Sequence, residues 1–153
     1  MDGQFEWVAA RDGSIPPRAI AGGVERDGRP LFIARAFFKG GMHPGKAAPH
    51  IENGGFAMGW GGREHNLNEY FVLCGNANAI QWVAVEGAVD ANAPYRLVEA
   101  GKEADGEQLF VAKANFQNSQ QLGKAGRHLR SGMSLGYGGR EHNEMKYLVL
   151  AYI

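Results

Sequence analysis

The sequence predicts an all-β protein made of two tandem repeats of antiparallel strands, packed about a pseudo-twofold axis. The segment Gly61–Asn66 (GGREHN) returns unchanged as Gly138–Asn143, and such self-similarity at a fixed distance indicates an internal duplication. Glycine accounts for 23 of the 153 residues without a collagen period, which is typical of many tight turns between short strands. No segment carries an apolar helical stripe over three turns.

Self-comparison places repeat 1 at residues 7–75 and repeat 2 at residues 82–153. In the sixteen residues of Gly23–Phe38 and of Gly101–Phe116, nine are identical. A chain of this length fits one compact domain. We therefore expect residues 1–153 to form a single domain in which both repeats share a core.

Apolar residues recur with a period of two, which indicates strands. The clearest case spans residues 31–38 and its copy, residues 109–116. One face of this strand consists of phenylalanine and alanine in both copies, and we expect that face to point into the core. The opposite face is expected to carry Arg35 or Lys113.

Asp-Gly pairs and paired glycines mark the turns. Asp27–Gly28 and Asp105–Gly106 lie between apolar runs, and these residue types tolerate the positive φ of tight hairpin turns. Glu25 and Glu103 are thus expected at the end of the strand that enters each hairpin. Further strands are predicted over residues 56–60, 133–137, 70–74 and 147–153, the last of which should tie the end of the chain into the sheet.

The charges and the cysteine count narrow the function classes. Sixteen basic and sixteen acidic residues cancel without forming blocks, which gives no electrostatic support for binding nucleic acid or an anionic membrane. Cys74 has no partner for an internal disulfide, and the first residues lack the basic and apolar regions of a signal peptide. No apolar run approaches the ~20 residues of a membrane-spanning helix. We expect a soluble protein that is cytoplasmic or released without a standard signal.

Two glutamate–lysine pairs, Glu25 with Lys46 and Glu103 with Lys124, are the first candidates for a binding site. Each acid precedes a turn, and each lysine follows a glycine in what reads as a polar loop, so both are expected to line a shallow site. A carboxylate accepts hydrogen bonds from neighbouring hydroxyls while an ammonium donates to another oxygen, which suits a sugar. The alternative is a surface salt bridge worth ~0–1 kcal/mol.

The GGREHN segments are the second candidates. Successive glycines can form an anion-binding nest beside Arg63 or Arg140, but the Gly-Lys-Ser/Thr of a phosphate loop is missing. In the structural alternative, Glu64, Glu141 and the following histidines hydrogen-bond the turn or a neighbouring strand. A role at the border of a ligand stays open.

Other chemistries receive less support. The five histidines show no HExxH motif and no cysteine partners, so we predict no metal site and no cofactor. Glu25 with Glu64 could form the acid/base pair of a glycoside hydrolase, although a repeat of ~75 residues offers little room for a deep cleft. No catalytic residue is therefore predicted. Trp60 and Tyr137 either stack on a sugar or pack in the core.

Taken together, these motifs resemble the DM-nine repeat family. The pattern consists of a Trp-Val start, Ala-Gly-x-Glu (Gly-Gly-x-Glu in the first copy) followed by Asp-Gly, Leu-Phe-Ile-Ala-Arg, Pro-Gly-Lys, and Gly-Gly-Arg-Glu-His before a Tyr-x-x-Leu strand. It covers residues 7–150 over the two copies. The resemblance implies an all-β fold with two repeats about a pseudo-twofold axis, often as a homodimer. Some stand-alone members are mannose-binding lectins, which implies a use in innate defence or agglutination.

In those lectins, the acid of Ala-Gly-x-acid and the lysine of Pro-Gly-Lys contact mannose. The resemblance therefore implies Glu25 and Lys46 in repeat 1, and Glu103 and Lys124 in repeat 2, as carbohydrate-binding residues. Leu122 takes the place of the proline in the second copy. This chain has glutamate where the lectin site has aspartate, and the extra methylene moves the carboxylate by ~1.5 Å.

We thus expect a non-enzymatic, metal-independent lectin with one shallow site per repeat, which binds mannose or mannose-bearing glycans. The residues expected to have a secondary role at the sites are Arg35, Lys113, Glu64, Glu141, Trp60 and Tyr137. The alternative function is a protein-interaction or scaffold module without sugar binding, in which the glutamate–lysine pairs are merely structural.

Overall fold

The computed structural model describes residues 3–90 and 92–153, and these contain fourteen β-strands and no α-helix. The first seven strands are β1 (Phe5–Arg11), β2 (Ala21–Val24), β3 (Pro30–Phe38), β4 (Gly41–Ala47), β5 (Phe56–Trp60), β6 (Arg63–Leu67) and β7 (Glu69–Gly75). The second seven are β8 (Ile80–Glu86), β9 (Glu99–Lys102), β10 (Gln108–Phe116), β11 (Ser119–Ala125), β12 (Met133–Tyr137), β13 (Arg140–Glu144) and β14 (Lys146–Tyr152). The all-β prediction is confirmed. Within the described ranges, no helix has the length and hydropathy needed to cross a bilayer.

Each strand of the first repeat has a counterpart of the same length in the second. The strands form one sheet in the order β1-β7-β3-β2-β11-β12-β13-β6-β5-β4-β9-β10-β14-β8. Additional pairings of β3 with β4 and of β11 with β10 close this sheet on itself. The last strand, β14, pairs with both β8 and β10, so the prediction that the end of the chain joins the sheet is confirmed.

The two repeats are joined by reciprocal strand pairs: a strand of the first repeat pairs with one of the second, and the equivalent strands pair with the repeats interchanged. Val24 of β2 pairs with Gln120 of β11, and Met42 of β4 pairs with Lys102 of β9. Strands β6 and β13, which carry the GGREHN motif, pair with each other through their equivalent arginines. A twofold relation between the repeats would produce such reciprocal pairs, although the axis itself stays a prediction.

The turns follow their predicted chemistry. Gly28 has φ of +93°, and its backbone N–H donates to the Glu25 carbonyl at 3.0 Å, which closes the Asp-Gly hairpin between β2 and β3. Gly61 and Gly62 have φ of +63° and +86°, a conformation that glycine adopts without steric cost. They join β5 to β6 as a tight turn.

The prediction that the Phe/Ala face of β3 points into the core is confirmed for its alanines, and the opposite face is buried as well at two positions. Leu31 and Ile33 are fully buried in a central cluster that contains side chains of both repeats. Ala34 and Ala36 are equally buried in a second cluster formed by the first repeat. The second repeat thus covers the first half of the face that the isolated repeat would leave open, and the covered part of a strand needs apolar residues on both faces. Phe37, nearer the end of the strand, stays exposed.

Candidate functional site

Lys46 and Lys124 lie in strands β4 and β11, so the prediction of a polar loop is wrong for both. Their side chains are buried, with relative exposures of 4% and 3%. The glycine before each lysine does not form a turn; it allows two strands to approach each other closely. A Cβ atom on Gly45 would collide with the Ala57 carbonyl oxygen, and one on Gly123 would collide with that of Ser134. The Gly-Lys pair therefore lets the adjacent strand pass close to the backbone.

The first candidate site is a hydrogen-bonded network around Glu25, which follows β2 at the start of the hairpin. Glu25 Oε2 accepts a hydrogen bond from His50 Nε2 at 2.7 Å. Its other oxygen, Oε1, accepts from Gln121 Nε2 at 2.9 Å, while Gln121 Oε1 accepts from Lys46 Nζ at 2.6 Å. A side chain of the second repeat thus bridges the glutamate and the lysine of the first.

The electrostatics of this network favour an ionised carboxylate. Burial alone would raise the pKa of Glu25, but hydrogen bonds from Gln121 and His50 and the charge of Lys46 outweigh it and lower that pKa below its ordinary value. Burial also lowers the pKa of Lys46, against the opposing charges of Glu64 and Glu25. The site therefore presents a charged acceptor next to a partly desolvated donor.

Glu25 and Lys46 line an open depression of about 950 Å³ at the junction of the two repeats. Its wall includes Glu64 from the first repeat and Tyr137 with Gly139 from the second. The ring centroid of Tyr137 lies 5.3 Å from Lys46 Nζ. The site is thus assembled from both repeats, whereas the sequence predicted that each repeat would carry its own.

A second network surrounds Glu103 and Lys124. Glu103 Oε2 accepts a hydrogen bond from His128 Nε2 at 2.9 Å, as Glu25 does from His50. Lys124 Nζ donates to His43 Nδ1 at 2.9 Å. The partner of Lys124 is thus the imidazole of His43 from the first repeat, whereas the partner of Lys46 is the amide of Gln121 from the second repeat.

The GGREHN glutamates hold the turn of the opposite repeat. Glu64 Oε1 accepts from the Gly139 backbone N–H at 3.1 Å, and Glu141 Oε1 accepts from that of Gly62 at 2.8 Å. Each histidine of the motif lies within hydrogen-bonding distance of a carbonyl in its own turn, at 2.9 Å in both repeats. The prediction that the glutamates and histidines of this motif hydrogen-bond a turn is confirmed.

The remaining secondary residues divide into two groups. Tyr137 lines the first site, while Trp60 packs edge-on against Phe38 with ring centroids 5.4 Å apart. Arg35 and Lys113 do not reach the networks, and their expected role at the sites is wrong. The Arg35 guanidinium lies 4.3 Å from the centroid of the Trp7 ring, and Lys113 Nζ lies at the same distance from that of Trp82.

The sequence interpretation missed four site residues: His43, His50, Gln121 and His128. Both His50 and His128 occupy the same position in their repeats, which was a usable signal. His43 and Gln121 also occupy equivalent positions, but their role depends on contacts between side chains 75 or more residues apart. No group of three or more metal-ligating His, Cys, Asp or Glu side chains occurs in residues 3–90 and 92–153.

His43 is expected to make the folded protein less stable in mild acid. Burial, followed by the charge of Lys124, lowers its pKa to about 4 from an ordinary 6.5. Between pH 4 and pH 6.5 the unfolded chain binds more protons at this residue than the folded chain does. The contribution of His43 to the free energy of unfolding is therefore fully present above pH 6.5 and is lost as the pH falls towards 4. We expect a loss of about 1–2 kcal/mol between pH 7 and pH 5 from this residue.

Urea unfolding of the wild type and His43→Gln at both pH values measures this contribution. Glutamine is the residue at the equivalent position, Gln121, and it does not titrate. His43→Gln should therefore show a smaller loss of stability between pH 7 and pH 5 than the wild type. Equal losses in both proteins would contradict the assignment.

Comparison with known proteins gives a family and a fold. A sequence model of the DM9 repeat matches residues 1–53 and 36–144, whereas a comparison with curated proteins found no match. The fold is similar to that in the crystal structure of the nematode sperm cell motility protein MFP2B, with a TM-score of 0.67 and 18% identity. The similarity covers 96% of this chain and 46% of that one, so this chain spans about half the length of MFP2B. At this identity the likeness shows the fold alone.

Proposed function

The chain belongs to the DM9 (DM-nine) repeat family, and from this premise we propose that it is a metal-independent, non-enzymatic lectin for mannose or mannose-bearing glycans. The family is associated with carbohydrate binding. Glu25 with Lys46, and Glu103 with Lys124, are the residues that contact sugar in this proposal. Glu64, Glu141 and Tyr137 shape the surroundings of the two pairs.

The observation that carries the proposal is the bridged pair Glu25–Gln121–Lys46. Each Glu25 oxygen accepts one hydrogen bond from the protein, which leaves acceptor capacity on both oxygens for two neighbouring hydroxyls. Lys46 uses one of its three N–H groups on Gln121 and keeps donors for a hydroxyl or ring oxygen. Such charge-assisted hydrogen bonds are roughly twice as strong as neutral ones.

The shape of the site fits a sugar residue at the end of a glycan. The depression is open and has room for a monosaccharide, and the Tyr137 ring on its wall offers a face for sugar C–H groups. An open, wet site of this kind binds a monosaccharide weakly. Two sites per chain, or four in the expected homodimer, raise avidity by ~10²–10⁴ when one glycan surface engages them together.

A glycan array followed by calorimetric titration with mannose tests this function. The proposal predicts binding to mannose-bearing glycans, with the same affinity in the presence of a chelator. About two sites per chain should be filled. A blank array with well-folded protein would overturn the lectin proposal and favour the scaffold alternative, while release of shorter glycans would indicate a hydrolase.

The affinity for mannose is expected to depend little on salt. The ligand is uncharged, so no ion pair between protein and ligand is screened when ionic strength rises. Raising sodium chloride from about 50 mM to about 500 mM should change the dissociation constant by less than about twofold. A steep loss of affinity over this range would show that an anionic group, and not a neutral sugar, is the recognised ligand.

A further inference from the structure

We propose that the two sites are unequal, and that Gln121 is a positioning residue which makes the Glu25/Lys46 site the tighter one. This inference rests on the proposed lectin function and deepens it. In this inference, Gln121 of the second repeat controls the affinity of the Glu25/Lys46 site. His43 of the first repeat controls the affinity of the Glu103/Lys124 site. The Glu103/Lys124 site is the weaker one because His43 replaces the bridging amide.

Gln121 is suited to hold two charged groups at a fixed separation. The side chain is fully buried, and Lys46 can only donate, so the amide oxygen must be the atom that faces Lys46. The amide nitrogen then donates to Glu25 Oε1 at 2.9 Å and to Ser119 Oγ at 3.0 Å. Both N–H groups of the amide and one of the two acceptor positions of its oxygen are occupied, so its orientation is fixed before any ligand arrives.

His43 can satisfy only the lysine of the second site. Lys124 donates to His43 Nδ1, so this nitrogen carries no proton and the imidazole is neutral. Within residues 3–90 and 92–153, Lys124 is the one side chain to which the His43 ring is hydrogen-bonded. In the part of the chain that the structure describes, no side chain links Glu103 to Lys124 as Gln121 links Glu25 to Lys46.

The difference affects affinity through preorganisation. Holding a charged side chain in its bound conformation removes part of the ordering cost that binding otherwise carries. The Glu25 carboxylate is held by two side chains and Lys46 by the same amide, whereas Glu103 is held by His128 at one oxygen. We expect the dissociation constants of the two sites to differ by roughly tenfold.

Residue exchange with site tracking tests the proposal. Calorimetric titration with methyl α-mannoside is performed on the wild type, Gln121→His, and the exchange variant Gln121→His/His43→Gln. In each background, Glu25→Gln and Glu103→Gln identify which site gives the tighter step. In the wild type, Glu25→Gln should remove that step and Glu103→Gln should leave it.

Gln121→His should weaken the tighter step by about tenfold. In the exchange variant the tighter step should move to the second repeat, so that Glu103→Gln now removes it. The gain there will be smaller because Gly41 stands at the position of Ser119 and offers no hydroxyl to the amide. A residue with a merely structural role would lower both steps together and would not move the tighter one.

Thermal melting of each variant checks that it is folded. Equal affinities at both wild-type sites, or a tighter step that Glu103→Gln removes, would overturn this inference while leaving the lectin function intact. Wild-type protein that binds no mannoside would overturn both. The two failures are thus distinguishable in the same titrations.

Discussion

The double variant Glu25→Gln/Glu103→Gln is expected to bind mannose-bearing glycans at least about 100-fold more weakly than the wild type while remaining folded. Hydrogen bonds to a charged group contribute about 1.5–3 kcal/mol, and in the proposed lectin function the carboxylate at each site accepts them from sugar hydroxyls. In Glu25→Gln, the oxygen of the new amide can still accept a hydrogen bond from Gln121, and its nitrogen can donate to His50 Nε2 when the proton of the His50 ring is on Nδ1. The substitution therefore keeps the hydrogen-bond network of the site and removes the negative charge of the carboxylate.

Calorimetry and thermal melting on the same preparations separate the two effects. Glu6→Gln/Glu99→Gln is a matched control, because both glutamates are exposed and the charge change is the same. This control should bind as the wild type does. If the site variant kept wild-type affinity, the two carboxylates would not be the sugar acceptors.

Gly45→Ala and Gly123→Ala are each expected to destabilise the protein by about 3 kcal/mol or more. A methyl group at either position would overlap a backbone carbonyl oxygen of the adjacent strand, that of Ala57 or Ser134. A backbone atom in a sheet cannot move aside as a flexible side chain can. Strands β4 and β5, or β11 and β12, would have to separate next to the site lysine.

Urea unfolding of both variants measures this effect. Gly3→Ala is the control, since nothing lies within 4 Å of a Cβ atom built at that position, and its stability should stay within about 0.5 kcal/mol of the wild type. A loss below about 1 kcal/mol in Gly45→Ala and Gly123→Ala would mean that the strands do not approach as closely as described.

The strands and turns could be predicted because their signals are local. The alternation of residues over 31–38 and the Asp27–Gly28 turn are properties of short segments, and the structure contains both. The burial of Leu31 and Ile33 depends on the other repeat. Local alternation cannot show that a second layer covers the opposite face.

The position of the lysines could not be predicted for a related reason. A glycine before Lys46 looks the same in the sequence whether it permits a turn or the close approach of an adjacent strand. In the structure, Gly45 permits the close approach of β5. The role of Gln121 was equally hidden, because its partners Lys46 and Glu25 lie 75 and 96 residues away in sequence. His43 and Gln121 occupy equivalent positions in the two repeats, but only the fold shows that each lies at the site of the opposite repeat.

An NMR titration of isotope-labelled protein with methyl α-mannoside, in the presence of a chelator, tests the central claim most directly. Saturable shifts at the backbone amides of Glu25, Lys46 and Gly139, with weaker saturation at Glu103 and Lys124, are the predicted result. The exposed Phe37 on β3, which does not line the depression, should not shift. Absence of saturable shifts, or shifts confined to other surfaces, would contradict the assignment of these residues to a sugar site.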